Sequence, residues 1–308
     1  MDFGLVHPNE IKNIDFTLPP DGEQTKLTLS GLSPATKPEI RVGCSKWGRK
    51  EWINSLYPLK TKEANMLDEY SKHFNTLECN AVFYSIPRHD LIRKWKEKMD
   101  ENALPGFLFL PKMSRNITHI ARLENVQAPL DLFLSAIKEF GPYLGPIFAQ
   151  IGDNQGPKSF DTVKSFVQSL PKDQKFFMEF RHEEWFSDPV IRKELFSLLA
   201  EYNIGSIITD SSGRRDLVHM ELTTPEAFIR FVGNGGDFVD SDRKRIDEWI
   251  IRLKSWLDKG LQKVYFITHR HHANSHLLAK YTIEQFNKHL GANIPEIVLQ
   301  PGAEDETV

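Results

Sequence analysis

The sequence predicts a protein of the α/β class, folded as a (β/α)8 TIM barrel in a single domain with an N-terminal extension. Eight short apolar runs alternate with segments of mostly helical spacing over about 250 of the 308 residues, and several runs end on a charged or hydrogen-bonding side chain. An open doubly wound sheet is the alternative. Such a sheet usually carries a glycine-rich phosphate loop after its first strand, and the stretch KWGRK at 46–50 lacks that motif.

The predicted strands follow one another with helical segments between most of them. In chain order they are residues 40–45, 76–80, 107–112, 146–151, 176–182, 205–210, 227–233 and 264–269. Amphipathic spacing predicts helices in the connections, as for Ile92, Trp95 and Met99 after the second strand. The connection 211–225 has no convincing helical period, so no helix is predicted there.

Changes in composition set the limits of the barrel. Residues 1–38 are polar and contain the turn-forming run PPDG at 19–22, which predicts an N-terminal extension that is draped over the domain or partly disordered. The barrel is assigned to residues 39–292. Residues 293–308 end on an acidic run and are predicted to form a loose C-terminal tail.

Composition argues against several classes of protein. The formal net charge is −3, from 39 basic and 42 acidic residues, and a protein that coats nucleic acid nonspecifically needs a strongly basic face. Two cysteines, Cys44 and Cys79, form no disulfide framework and indicate a reducing compartment. The chain shows no signal-peptide core and no apolar run near the roughly 18 residues of a membrane span. We therefore expect a cytoplasmic protein without a membrane partner.

The fifth strand carries the clearest chemical signal. Met178 and Phe180 alternate with Glu179 and Arg181, so one face is apolar and the other carries an acid and a base. An ordinary core does not tolerate such charges, because an unpaired buried ion costs several kcal/mol. The carboxyl ends of barrel strands meet at one mouth, and this strand therefore predicts a functional site there.

Residues at the other strand ends and in the loops extend this site. The predicted catalytic residues are Glu78, Glu179 and Asp210. The predicted substrate-binding residues are Asn80, Tyr84, Lys112, His119, Arg122, Gln150, Arg181, Arg230 and His269. Cations of this kind suit phosphate or carboxylate, and the carboxylates suit general acid–base chemistry or a metal. A buried salt-bridge network that only fills the barrel is the structural alternative.

Some of these residues have a second interpretation. Tyr84 is equally consistent with packing under the mouth, and His119 with a hydrogen bond that anchors its loop. Four histidines near the end of the eighth strand raise a zinc site as an alternative, namely His269, His271, His272 and His276. Their spacing matches no zinc motif, so exposed loop histidines are expected instead, and only His269 is placed at a strand end.

Motifs along most of the chain resemble those of the YecE-like family, a TIM-barrel family that carries a domain of unknown function (family 72). The matching stretches are GCSKW at 43–47, FNTLECN at 74–80, ITH at 117–119 and EFRH at 179–182, with Pro111–Lys112 and Ile229–Arg230. The resemblance covers about residues 40–290 and implies a barrel but no particular reaction. Two stretches depart from the family pattern, namely GDN at 152–154, where relatives usually carry a proline pair, and HRHH at 269–272, in place of an asparagine-rich turn.

Three functions are consistent with the sequence. The first is an enzyme acting on an anionic, phosphate-bearing substrate. The second is a divalent-metal-dependent hydrolase or isomerase, by analogy with endonuclease-IV-like and xylose-isomerase-like barrels. The third is a non-catalytic protein that binds a nucleic acid or a metabolite. No cofactor is predicted, and a divalent metal is expected only together with an anionic substrate, because Lys112, Arg181 and Arg230 offset the three carboxylates. The sequence leaves the oligomeric state open.

Overall fold

A computed structural model of the protein describes residues 4–270 and 275–303. Its strands are β1 (Glu39–Cys44), β2 (Thr76–Cys79), β3 (Leu108–Pro111), β4 (Ile147–Gln150), β5 (Phe176–Glu179), β6 (Gly205–Asp210), β7 (Glu226–Gly233) and β8 (Lys263–Arg270). All eight predicted strands are present. The largest difference is in β5, which ends three residues earlier than predicted because its ladder with β4 stops at the pair Gln150 and Glu179.

Helices surround the strands. They are α1 (Pro8–Ile11), α2 (Glu23–Leu29), α3 (Met66–Ser71), α4 (His89–Asn102), α5 (Gln127–Ile137), α6 (Phe160–Ser169), α7 (Glu184–Ser187), α8 (Pro189–Glu201), α9 (Val239–Asp258) and α10 (Ser275–Leu290). Local sequence explains their limits, as in α8, where the Asp188 carboxylate accepts from the N–H groups of Val190 and Ile191. Within the described ranges, every helix is too short or too polar to cross a bilayer.

The strands pair in parallel and enclose a barrel. Their order is β3-β2-β1-β8-β7-β6-β5-β4. Bridges between Phe109 and Leu144 and between Lys112 and Phe148 bring the two outer members, β3 and β4, together. This arrangement confirms the predicted (β/α)8 architecture, since an open doubly wound sheet would leave those two strands apart.

Alternation along the strands fills the barrel with aromatic side chains. The ring of Phe228 has three neighbours, with centroids 5.5, 5.5 and 6.0 Å away, in Phe148, Phe177 and Tyr265. All four rings are buried, so the middle of the barrel is a packed core without a pore. Side chains two positions further along the same strands face the mouth above this layer, and they include Gln150, Glu179 and Arg230.

The N-terminal extension occupies the place of a missing barrel helix. Between β6 and β7 the chain forms only a short 3-10 turn at Arg215–Leu217, in agreement with the lack of a helical period there. Thr25 of α2 packs on this connection, since its Oγ1 donates to the carbonyl of Met220 at 2.7 Å and accepts from the N–H of Leu222 at 2.6 Å. The described part of the extension, from residue 4 onward, therefore lies over the barrel. This is the first of the two predicted alternatives, an extension draped over the domain. A cavity of about 820 Å3 lies between this segment and α8.

Removing the carboxylate of Asp21 is expected to loosen the extension. Asp21 accepts from Arg252 Nη1 at 2.8 Å and from Trp256 Nε1 at 2.9 Å, both on α9. Asp21→Ala leaves these donors without that acceptor, and we expect the free energy of unfolding to fall by about 1–3 kcal/mol in urea denaturation. Glu10→Ala, at an exposed position of the extension, is the control. Equal stability of the two variants would contradict a role for Asp21 in holding the extension.

Candidate active site at the barrel mouth

A buried arginine between two buried glutamates forms the floor of the mouth. Arg230 of β7 donates to both oxygens of Glu78, with Nε 2.9 Å from Oε2 and Nη2 3.0 Å from Oε1. Its third nitrogen, Nη1, donates to Glu179 Oε2 at 2.7 Å. The predicted convergence of strand ends β2, β5 and β7 is therefore present.

The arginine keeps both carboxylates ionised in spite of their burial. Burial alone raises the pKa of Glu78, but Arg230 and then His269 outweigh it and hold that pKa well below its ordinary value. The pKa of Glu179 is likewise raised by burial and lowered more strongly by Arg181 and Arg230, to about 2. Glu179 Oε1 also accepts from Thr209 Oγ1 at 2.7 Å. At neutral pH both glutamates are anionic, so neither has a proton to donate.

Two further predicted residues complete the surroundings of Glu78. Asn80 Nδ2 donates to Glu78 Oε1 at 2.8 Å, and His269 Nε2 lies 2.9 Å from Glu78 Oε2. Because the ionised carboxylate only accepts, the histidine carries its proton on Nε2. Burial lowers the pKa of His269 in spite of the opposite effect of Glu78, and a neutral ring at pH 7 follows.

Lys112 lies beside this network without joining it. Its Nζ donates to Gln150 Oε1 at 2.7 Å and sits 4.2 Å from the centre of the Phe83 ring. Burial, and next the positive charge of Arg230, lower the pKa of Lys112 to about 7. A substantial fraction of this lysine is therefore neutral at physiological pH.

A cavity of about 300 Å3 opens above these groups. Its wall contains five lysine and arginine side chains, namely Lys46, Arg49, Lys112, Arg181 and Arg230. The other lining residues are Ser45, Asn80, Phe83, Tyr84, Gln150, Thr209, Val232 and His269. No carboxylate is among the lining residues that the structure describes, because Glu78 and Glu179 lie below the surface and are at most 1% exposed. Their predicted catalytic role stays a prediction.

The predicted loop residues take different positions. Tyr84 is 67% exposed and stands at the rim of the cavity. His119, in the π-helical turn Asn116–Ile120, packs its ring edge-on against Phe83 with centroids 5.1 Å apart. Burial, and next the charge of Lys112, lower the pKa of His119. Arg122 is exposed and is not among the lining residues; its carbonyl accepts from Gln155 Nε2 at 3.1 Å.

The structure places Asp210 outside the mouth, which corrects the prediction that it joins the site. On β6 it is Thr209 that faces the barrel interior, and Asp210 points the other way, toward α9. Its carboxylate accepts from Arg245 Nη2 and from Trp249 Nε1, both at 2.8 Å, and from Arg215. Asp210 therefore joins β6 to α9 and to the connection that follows β6.

The histidines that raised the zinc alternative lie in different parts of the structure. His276 is buried and forms a 2.7 Å hydrogen bond with Ser55 Oγ, so it is not the exposed loop residue that was expected. His271 and His272 lie outside the described residues. Over 4–270 and 275–303, no group of three or more His, Cys, Asp or Glu side chains is arranged to hold a metal ion.

Several residues that line the cavity were not predicted from the sequence, among them two basic residues and a threonine. Lys46 and Arg49 follow β1 and line the wall, as does Thr209. The signal that identified the other strand ends, a polar or charged residue just beyond an apolar run, was present at Lys46 as well. Thr209 and Asp210 both follow the run Ile207-Ile208, and this run does not show which of the two faces the barrel interior.

Comparisons with known proteins agree with this architecture. A family model described as "Protein of unknown function DUF72" matches residues 41–301. The UPF0759 protein YecE of Escherichia coli strain K12 is 25% identical over 235 residues, 70% of this chain and 82% of that protein. The UPF0759 protein YunF of Bacillus subtilis is 30% identical over 175 residues, 54% of this chain and 60% of that protein. A crystal structure of a DUF72 family protein from Enterococcus faecalis V583 superposes with a TM-score of 0.61 at 15% identity, covering 82% of this chain and 99% of that one.

Proposed function

The chain belongs to the DUF72 family, and we propose that it is an enzyme acting on an anionic, phosphate-bearing substrate at the C-terminal mouth of its barrel. One observation carries this proposal: the described part of the cavity wall holds five lysine and arginine side chains and no carboxylate. Lysine and arginine supply both the donors and the positive charge that a phosphate group requires. A volume of about 300 Å3 is at the small end of ligand pockets, which favours a small molecule over a nucleic acid strand.

The basic side chains of the cavity have different roles in this proposal. Arg230 directs Nε, Nη1 and Nη2 to the two glutamates, so it contributes positive charge to the floor and little direct hydrogen bonding. Lys46, Arg49 and Arg181 also line the cavity, and we assign the phosphate to them. Glu78 and Glu179 act in this proposal by positioning Arg230.

Two groups with lowered pKa values support catalysis over simple binding. Lys112, with a pKa lowered by burial to about 7, and His119, with a pKa lowered by burial, both change protonation near or below neutral pH. Lys112 lines the cavity, and His119 packs against Phe83 of its wall. Groups with such pKa values near the mouth of a barrel are typical of catalytic sites, and we assign the chemical step to these two residues.

Inorganic phosphate is the first probe of the site. We expect phosphate to raise the melting temperature of the wild-type protein, and Arg181→Met to weaken its affinity by about 10- to 100-fold, because a hydrogen bond to a charged group contributes about 1.5–3 kcal/mol. Differential scanning fluorimetry over a phosphate titration measures both effects. Arg88→Met, which removes an exposed arginine of a surface ion pair, is the matched control.

Equal protection of wild type, Arg181→Met and the control would reject the anion site. Turnover is tested separately, by following a panel of phosphorylated aldehydes, ketones and sugars by 31P NMR with wild type and Lys112→Met. If phosphate binds at the mouth but no member of the panel is consumed, the catalytic half of the proposal fails and a binding protein remains.

A further inference from the structure

The backbone of Lys112 is fixed between two strands, so its side chain has a defined direction. Lys112 N–H donates to the carbonyl of Cys79 at 3.2 Å, and the next residue, Met113, donates to the carbonyl of Phe148 at 2.8 Å. These bonds hold the end of β3 against β2 and β4. The side chain enters the barrel mouth, where Lys112 lines the cavity and is only 7% exposed. An amine is thus built into the wall where a substrate would lie.

No carboxylate among the described residues holds this buried amine in its charged form, and burial, followed by the charge of Arg230, lowers its pKa. A buried lysine is normally paired with a carboxylate. Among the described residues no carboxylate oxygen lies within ion-pair distance of Lys112 Nζ, and its hydrogen-bond acceptor is the neutral amide of Gln150. The two nearby carboxylates, Glu78 and Glu179, are instead bonded to Arg230. The Phe83 ring covers one side of the amine at 4.2 Å.

We propose that Lys112 is a nucleophile that forms a Schiff base with a phosphate-bearing aldehyde or ketone. This inference rests on the proposed function, because the phosphate is what brings the carbonyl group to the amine. A neutral amine in a desolvated site attacks carbonyl carbon readily, whereas an ammonium group has no lone pair to attack with. The cations on the same wall, Lys46, Arg49 and Arg181, hold the anionic end of the same molecule.

The reaction balances without any oxidant or reductant. The lone pair of Lys112 Nζ forms the C–N bond as the C=O π bond opens. The nitrogen then gives up one proton and the oxygen takes one up, which yields a neutral carbinolamine. Loss of that oxygen as water, after a second protonation, leaves an iminium ion. His119 is the proton carrier that we assign to these steps, since its ring packs on the same Phe83 and forms a 2.8 Å hydrogen bond with Thr118 Oγ1.

Pyridoxal 5′-phosphate tests this inference, because it combines an aldehyde with a phosphate. The protein is incubated with it, reduced with sodium borohydride, which converts the imine to a stable secondary amine, and mapped by peptide mass spectrometry. We expect one predominant label, at Lys112, and at least tenfold less labelling there by pyridoxal, which lacks the phosphate. Inorganic phosphate should compete with the labelling. Lys112→Met should lose the label, and Lys254→Met, at an exposed lysine of α9, should keep it.

The pH dependence separates this lysine from surface lysines. Lys112 faces Arg230, Arg181, Glu78 and Glu179, and burial lowers its pKa to about 7. Labelling should therefore rise with a midpoint near pH 7, since the neutral amine is the reactive form, whereas surface lysines respond near pH 10.

The labelling and phosphate experiments distinguish failure of the Schiff base from failure of the anion site. If phosphate protects the protein against heat but the aldehyde labels other lysines as readily as Lys112, the Schiff base is rejected and the anion site stands. If pyridoxal and its phosphate label Lys112 equally and phosphate neither competes nor protects, the reactive amine stands and the phosphate-bearing substrate is rejected. Unchanged labelling of Lys112→Met overturns the inference outright.

Discussion

Replacing Arg230 by alanine is expected to lower the free energy of unfolding by about 3–5 kcal/mol at pH 7. The reason is that Glu78 and Glu179 are almost fully buried and lose the group that neutralises both of them. Urea denaturation followed by circular dichroism measures the change. Anion binding at the mouth should also be lost, because two uncompensated carboxylates would then lie under the cavity.

Lowering the pH should reduce the difference in unfolding free energy between Arg230→Ala and wild type. In wild type the pKa values of both glutamates lie below their unfolded value, so the stability they contribute is present above about pH 4.5 and is lost as the pH falls toward their folded pKa values, about 2 for Glu179. In the variant the carboxylates lack this cation and burial favours their neutral forms. The free energy of unfolding of the variant should therefore move closer to that of wild type as the pH falls from 7 to 4. A difference in stability that is small at pH 7, or that grows in acid, would contradict this account.

Asp210→Ala is expected to cost about 3–5 kcal/mol of unfolding free energy and to leave phosphate binding unchanged. The carboxylate accepts from Arg245 and Trp249, both almost fully buried, and removing it leaves these donors without that acceptor. Asp210→Asn should cost less, because its amide oxygen still accepts hydrogen bonds. Denaturation and the phosphate titration are measured on the same preparations.

The surface pair formed by Arg88 and Asp90 provides the control for both arginine and aspartate variants. Its two side chains are 81% and 48% exposed, and alanine at either position should change stability by no more than about 1 kcal/mol. If Asp210→Asn were as stable as Asp90→Ala yet failed to bind phosphate, Asp210 would belong to the site after all, and the orientation of β6 described above would be wrong.

The alternation of side chains along the strands allowed much of the site to be predicted from the sequence. Glu179 and Arg181 are two positions apart beyond an apolar run, and a period of two places both on one face. The same argument holds for Glu78 and Asn80. It succeeds because β2 and β5 carry one charged face and one apolar face, so that only one orientation in a barrel avoids burying the charge against the helices.

Alternation fails where both faces of a strand are apolar or where partners come from distant segments. Ile207 and Ile208 leave the direction of β6 undetermined, and Asp210 was assigned to the mouth although Arg245, some 35 residues later in the chain, holds it on the opposite side. Contacts of such long separation leave no periodic trace in the sequence.

The sequence by itself determined the barrel, the order of its strands and the gathering of charged side chains at one mouth, because hydrophobic periodicity and the parallel arrangement of strands are local or topological properties. Only the tertiary structure decided which charges face the cavity. Arg230 binds both glutamates and leaves them below the surface, Lys112 is left with an amide partner, and the N-terminal extension fills the place of the helix missing between β6 and β7. These outcomes depend on the competition of several donors for the same acceptors at distances of 2.7–3.2 Å, which is settled by three-dimensional proximity and not by position along the chain.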